Sequence, residues 1–392
     1  MRSRGLLIQI VAIAVAVGST VPASPAVAAT PTLSPVPSTI DSTGTTDVPR
    51  ALNAFLAGVP DGRTVVFPVS GRYRIEGTLN LEGRRNVVID GRGSTFFAKT
   101  NGLSRRPPGC DLRSSLCRYP NRTRAHWAFS NVSNIVVRNI NVIGSAPNAG
   151  PNSTYSPALE AQHAFRLVGV KGIVLDHVSG RDVWGDLVYV GSFATRAGYV
   201  TSTNVVVRNS SFRGASRQGW TVTAGTHVTF VDNTLTSARR SLIDLEANTS
   251  KDVIAHITIR NNRLGSSRFC TITNHGAPAV EHDFVISGNH ALVSLKKFRI
   301  CIQAFRTARR SNYEIAGNVG SSARPNEPMV SIAYVDNVAV KNNVHAFSVS
   351  RWPWRAGVSP QAPVTSKCSS VVLTGNHFSR AAGMPQLAGK RC

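Results

Sequence analysis

The chain has 392 residues, 42% hydrophobic and 16% charged, long enough for one large elongated domain or two ordinary ones with a real core. Its formal net charge of +24 suits an anionic partner, whether polyuronate, sulfated glycan, cell-wall phosphate polymer or nucleic acid. Beyond the N-terminal leader no run of 18 apolar residues occurs, which excludes a membrane-spanning helix from the rest of the chain.

Residues 1–28 carry two arginines, an apolar run and the small-residue pattern Ala26-Val27-Ala28, the signature of a secretory signal peptide. The protein is therefore expected outside the cell. Residues 29–46 are rich in Pro, Ser and Thr and predict a flexible lead-in. A single domain is expected over 47–392. It opens with DVPRALNAFLAG (47–58), whose apolar spacing predicts a short helix with Asp47 as N-cap and Pro49 in its first turn.

From there one template recurs: apolar, any, apolar, any, then Asn, Asp, His or Gly. It reads IVVRN (135–139), IVLDH (173–177), VVVRN (205–209), VTFVD (228–232), ITIRN (257–261), FVISG (284–288), YEIAG (313–317), VAVKN (338–342) and VVLTG (371–375). The closing residues are 23 to 38 positions apart, a loose period of short strands without intervening helices. That pattern predicts stacked coils of a parallel β-solenoid, because each coil buries its apolar side only against its neighbours. A propeller blade would need about 40 residues, and a sandwich would seldom repeat one strand so often.

Six cysteines fit an oxidising compartment, and proximity suggests the pairs 110–117, 270–301 and 368–392. Cys270 shares the inward parity of its strand, whereas Cys301 is outward, so this pair is the least secure of the three.

A second strand follows each turn at a constant offset: Asp186, Gln218, Ser241 and Cys270 lie nine residues after His177, Asn209, Asp232 and Asn261. Alternation then turns Val188, Trp220, Ile243 and Ile272 inward. It places Tyr189 and Gly191, Thr221 and Thr223, Asp244 and Glu246, and Thr273 and His275 on a solvent-facing polar tile. Arg217 and Arg240 fall at one offset beside this tile, with Arg239 and Arg268 one residue earlier and Lys297 one later, which predicts a cationic edge for an anionic ligand.

The layout resembles the pectate-lyase-like superfamily of secreted right-handed parallel β-helix proteins. DSTGTTDVPRALNAFL, RTVVFPVSGRYRI and the triplet WGDLVYVG, SRQGWTVTAG and SLIDLEAN carry the resemblance, which spans about residues 41–380. It implies a right-handed β-helix with recurrent polar positions at Asp186, Arg217, Gln218, Asp244 and Glu246. Leu187 and Ala247 depart from the pattern, where relatives carry Gly and Pro. The superfamily hosts lyases, hydrolases, epimerases and binders, so the reaction is not implied.

Candidate catalytic residues are Asp244, Glu246, Arg217, His275, Asp186 and Tyr189. Candidate substrate contacts are Gln218, Arg240, Arg239, Arg268, Trp184 and Lys297, and RWPWR (351–355) offers further tryptophans for sugar stacking. Two carboxylates about 6.5–9.5 Å apart would suit inverting hydrolysis, and Asp244 with Glu246 or Asp186 reach that range on ideal strand spacing. β-Elimination of a uronate instead needs a cation at the carboxylate, for which Arg217 and Arg240 are available, and a base, for which Tyr189, His275 or an arginine are candidates. No cofactor is assigned; calcium would have to rely on Asp186, Asp244 and Glu246. The expected activity is that of a lyase or hydrolase acting on an acidic polysaccharide, with a non-catalytic glycan-binding or wall-associated solenoid as the alternative. The protein is expected to be a monomer, and nucleic acid is the weaker partner because no recognition motif accompanies the charge.

Overall fold

Alternating apolar residues stack coil on coil in the computed structural model, which describes residues 32–102, 123–292, 298–322, 328–347, 364–379 and 387–390. All nine repeat units are strands, paired in parallel and in register through Ile135, Ile173, Val205, Val228, Ile257, Phe284, Tyr313, Val338 and Val371. All but the last of these side chains are buried, and Val371 is half-buried against the same core. Together with the strands after each turn they form a 22-stranded sheet, faced by an 11-stranded parallel sheet running from Leu79–Glu82 to Leu387–Lys390. The architecture is a right-handed parallel β-helix. The leader (1–28), the pair Cys110–Cys117, the RWPWR segment and Lys297 lie outside the described residues.

The helix forms over Pro49–Gly58 and buries Leu52 and Leu56 against the first coils. Asp47 does not cap it. Val48 holds that position without a side-chain bond, while Asp47 Oδ1 accepts the Glu76 amide at 2.8 Å. The expected flexible lead-in is also overturned. Leu33–Pro35 pairs with Thr64–Val66 and Thr43–Asp47 pairs with Arg72–Arg74, so the solenoid begins before the helix. Edge hydrogen bonding outweighs the Pro/Ser/Thr bias because the first coil otherwise presents an open edge.

The residues that close the repeat units are left-handed, from Asn139 (φ 56°) to Gly375 (φ 62°), as Asn, Asp, His and Gly tolerate best. The residue after each turn builds a feature the repeat template did not include. Asn233, Asn262, Asn289, Asn318, Asn343 and Asn376 are buried in one column, each Oδ1 accepting the amide of the asparagine one coil earlier, or of Ser210 for the first, at 2.9–3.0 Å. Each Nδ2 donates to a backbone carbonyl of the preceding coil, as Asn289 does to Ile259 O at 2.8 Å. Asn289→Ala would orphan the Asn262 amide and the Ile259 carbonyl and is expected to cost about 2–3 kcal/mol, checked by chemical denaturation against an exposed Asn→Ala control.

Cys270 and Cys301 are bonded, with Cα atoms 6.0 Å apart, and Cys368 is also in a disulfide. Cys270 is half-buried rather than inward: it precedes the strand Ile272–Gly276, so strand alternation does not govern it. Closing a loop with sequence separation 31, the Cys270–Cys301 bond should contribute about 3–4 kcal/mol. A Cys270→Ser/Cys301→Ser variant should show that loss, and equal stability with the native protein would refute it.

Candidate functional site

The tile inferred from alternation exists on the 11-stranded sheet. Tyr189 pairs with Thr221, Thr221 with Asp244, Asp244 with Thr273, and Glu246 with His275. It is not open to solvent as alternation alone suggests. Asp244 is fully buried, as are Thr221 and Thr223, while Glu246, His275 and Tyr189 remain half-buried. The cover comes from side chains at the start of the same strands and from residues 144–163. Buried Arg124 anchors the latter, its Nη2 donating to Gln162 Oε1 at 3.0 Å and Ser145 Oγ at 3.2 Å. Gly185 admits the segment: a Cβ there would lie 2.3 Å from Glu160 O.

Arg217 is the hub. Its Nη1 donates to Asp186 Oδ2 at 2.6 Å, its Nη2 to Glu246 Oε2 at 3.4 Å, and its Nε lies 3.7 Å from Glu160 Oε2. Its pKa is raised, chiefly by Asp186. Gln218 donates its backbone amide to Asp186 Oδ1 at 3.0 Å and its side-chain amide to Asp244 Oδ2. His275 lies over the acids, Nε2 3.4 Å from Asp244 Oδ1 and Nδ1 3.8 Å from Glu246 Oε1.

Burial and charge set the protonation states. Desolvation pushes Asp186 up to about 6 against the pull of Arg217. Burial, then the charge of Glu246, pushes the Asp244 carboxyl well above the ordinary range, so this pair retains a proton that isolated carboxylates would release. Burial lowers His275 against the pull of Glu246, favouring the neutral imidazole. His163 is buried and held well below its usual pKa, and its Nδ1 accepts the Asp186 amide at 3.0 Å, which leaves the ring proton on Nε2.

A cavity of about 310 Å³ opens beside this array, lined among others by Glu160, His163, Arg166, Tyr189, Arg217 and Asn248. Tyr189 lies flat on His163, ring centroids 4.8 Å apart, and its hydroxyl shares a 3.0 Å hydrogen bond with Thr223 Oγ1. Gly191 leaves room for that ring, since a Cβ there would meet Tyr189 Cε1 at 2.9 Å. Arg166 is the register partner of Tyr189 on the preceding coil and has no ion-pair partner among the described residues. Sequence reasoning passed over it, although a lone arginine between Phe165 and Leu167 in an otherwise apolar strand was the available signal.

Several expected contacts do not join the cavity. Asp186 and Gln218 are buried and position others rather than touch a polymer. The cationic column is not a free edge: Arg217 is folded into carboxylates, Arg239 donates to the Ser153 carbonyl, and Arg240 lies over the Tyr155 and Phe269 rings, each at 5.9 Å. Arg268 is exposed beside the disulfide. Trp184 is half-buried and donates Nε1 to Ser145 Oγ at 3.3 Å, so it is not a free stacking platform. The inverting spacing expected of Asp244 with Glu246 does not form. Asp244 and Glu246 each bring an oxygen within 4.8 Å of the other, too close for an inverting pair with water between.

The calcium set expected from the sequence is Asp186, Asp244 and Glu246. Asp244, Glu246 and His275 each place one ligand atom within 4.8 Å of the others, but both Asp186 oxygens are engaged by Arg217 and Gln218. An imidazole in that set and a guanidinium 3.4 Å from Glu246 suit a hard oxygen-seeking cation poorly.

These sheets define a right-handed parallel β-helix, and solved structures share the fold. The surface adhesin PfbA of Streptococcus pneumoniae matches with TM-score 0.57 and 14% identity over 89% of each chain. The endo-xylogalacturonan hydrolase of Aspergillus tubingensis matches with TM-score 0.57 and 12% identity over 91% of this chain and 95% of the other. The polygalacturonase of Erwinia carotovora ssp. carotovora matches with TM-score 0.51 and 13% identity over 95% and 100%. No protein-family model and no curated protein sequence matches the chain. No helix among the described residues is long and apolar enough to cross a membrane.

Proposed function

We propose that the protein is a secreted enzyme that binds an acidic polysaccharide along the 11-stranded sheet and cleaves it by β-elimination at a uronate. The observation that carries this is Arg166, a guanidinium without an ion-pair partner among the described residues, in the cavity that Tyr189 also lines. Arg166 binds the uronate carboxylate and withdraws its charge, which acidifies the C5 proton. Tyr189 acts in its phenolate form: its oxygen takes that proton and becomes the hydroxyl. The C5–H electrons form the C4–C5 double bond, the C4–O bond breaks, and the departing glycosidic oxygen recovers the proton from Tyr189. Asp186, Arg217 and Glu246 hold the floor of the site, and His163 fixes the Tyr189 ring.

Inverting hydrolysis fits less well because Asp244 is buried and too near Glu246. A non-catalytic glycan-binding solenoid is the second reading, favoured by the way Asp186, Arg217 and Glu246 already satisfy one another. Incubating the protein with polyuronates and sulfated glycans separates the three. Absorbance near 235 nm reports unsaturated ends, new reducing ends without that absorbance report hydrolysis, and salt-sensitive retention without product reports a binder. Either of the last two results overturns elimination.

A further inference from the structure

A second cluster of ligating side chains lies on the 22-stranded sheet, apart from the residues of the cavity above. The residue before each repeat unit from 135–139 to 338–342 is left-handed, and four of these are asparagine: Asn134, Asn204, Asn312 and Asn337. Three successive coils use His227 (φ 55°), His256 (φ 54°) and Asp283 (φ 62°) instead, with His282 next to the last. All of these residue types tolerate the conformation, so backbone geometry alone does not select imidazoles. Their side chains converge. His282 Nδ1 lies 2.8 Å and His256 Nδ1 3.3 Å from Asp283 Oδ2, and one ligand atom from each residue falls within 4.8 Å of the others.

Metal–ligand bonds of about 2.0–2.1 Å in a tetrahedral site set ligand atoms about 3.3 Å apart, near the two distances to Asp283 Oδ2. The remaining carboxylate oxygen, Asp283 Oδ1, accepts Asn312 Nδ2 at 2.7 Å, the outer hydrogen bond that orients a ligating carboxylate. His227 stacks on His256 with centroids 4.5 Å apart and steadies the ring. His256 and Asp283 line a groove of about 580 Å³ whose walls include Thr229, Thr258, Glu314 and Lys341.

The geometry points to a site for a divalent transition-metal ion of the zinc class, held by His256, His282 and Asp283, with an open coordination position for water or an oxygen ligand. Two imidazoles and one carboxylate select zinc, copper or nickel over calcium or magnesium.

Titration of the full chain with Zn²⁺ alone by calorimetry tests this, with Mg²⁺ and Ca²⁺ as comparison. Because Asp244, Glu246 and His275 form another group of ligating atoms, the titration is run in a Glu246→Gln background as well as in the native chain. The expected result is one Zn²⁺ bound in both proteins and at least tenfold weaker binding in His256→Ala and in Asp283→Asn. These side chains are 44% and 37% exposed, so both variants should fold, which circular dichroism without metal verifies. A chain that binds no Zn²⁺, or variants that bind it as tightly as the native chain, would overturn the site.

Discussion

Tyr189→Phe is expected to lower kcat/KM by about 10²–10⁴-fold on the polyuronate that the native chain cleaves, with little change in melting temperature. The substitution removes one oxygen and the hydrogen bond to Thr223 Oγ1, while the ring can keep its stack on His163. The loss should appear mainly in kcat, because the hydroxyl acts on the proton in flight and not on the carboxylate. Arg166→Ala makes the contrasting case. It should raise KM as well as lower kcat, since it removes both binding of the carboxylate and its neutralisation. A Tyr189→Phe enzyme with native turnover would move the base elsewhere in the tile, with His275 the next group to test.

Arg217→Met is expected to destabilise the fold by about 1–2 kcal/mol near neutral pH and by more at alkaline pH, because it leaves Asp186 buried and unpaired. The pH dependence of that loss identifies its cause. Desolvation already holds Asp186 up to about 6, and Arg217 is the largest influence pulling it down. Removing the guanidinium raises the folded pKa further, while the unfolded value stays near the ordinary carboxylate value. A group whose folded pKa is raised binds more protons in the folded state, so its contribution is fully present below the unfolded pKa and is lost as pH rises through the folded one. The variant should therefore be most impaired at alkaline pH and should approach the native stability below about pH 5. A loss that is constant across that range would assign the damage to packing of the arginine stem instead.

The register of the site was largely legible in the sequence. A nine-residue offset repeated over four coils aligned Tyr189, Thr221, Asp244 and Thr273, and the parallel ladder contains those pairs. Exposure was not legible, because alternation says which face a side chain takes and not what lies over that face. Residues 144–163 supply Glu160 and His163 to the site and carry no periodic signal. The buried asparagine column was hidden for a related reason: the template ended at the left-handed residue, and the ladder is built by the next one.

By itself the sequence determined the solenoid, its coil period, the turn positions and the residues sharing each column. Those follow from local rules: strand alternation, left-handed tolerance at turns, and the need of each coil for a neighbour. Only the tertiary structure decided which charges are spent on one another and which remain available. Arg217 and Arg166 both read as cations in the sequence, yet one closes on Asp186, Glu246 and Glu160 while the other has no ion-pair partner among the described residues. Pairing of charges depends on distances of a few ångströms between coils and the segment crossing them, and desolvation then magnifies each such distance into a shifted pKa.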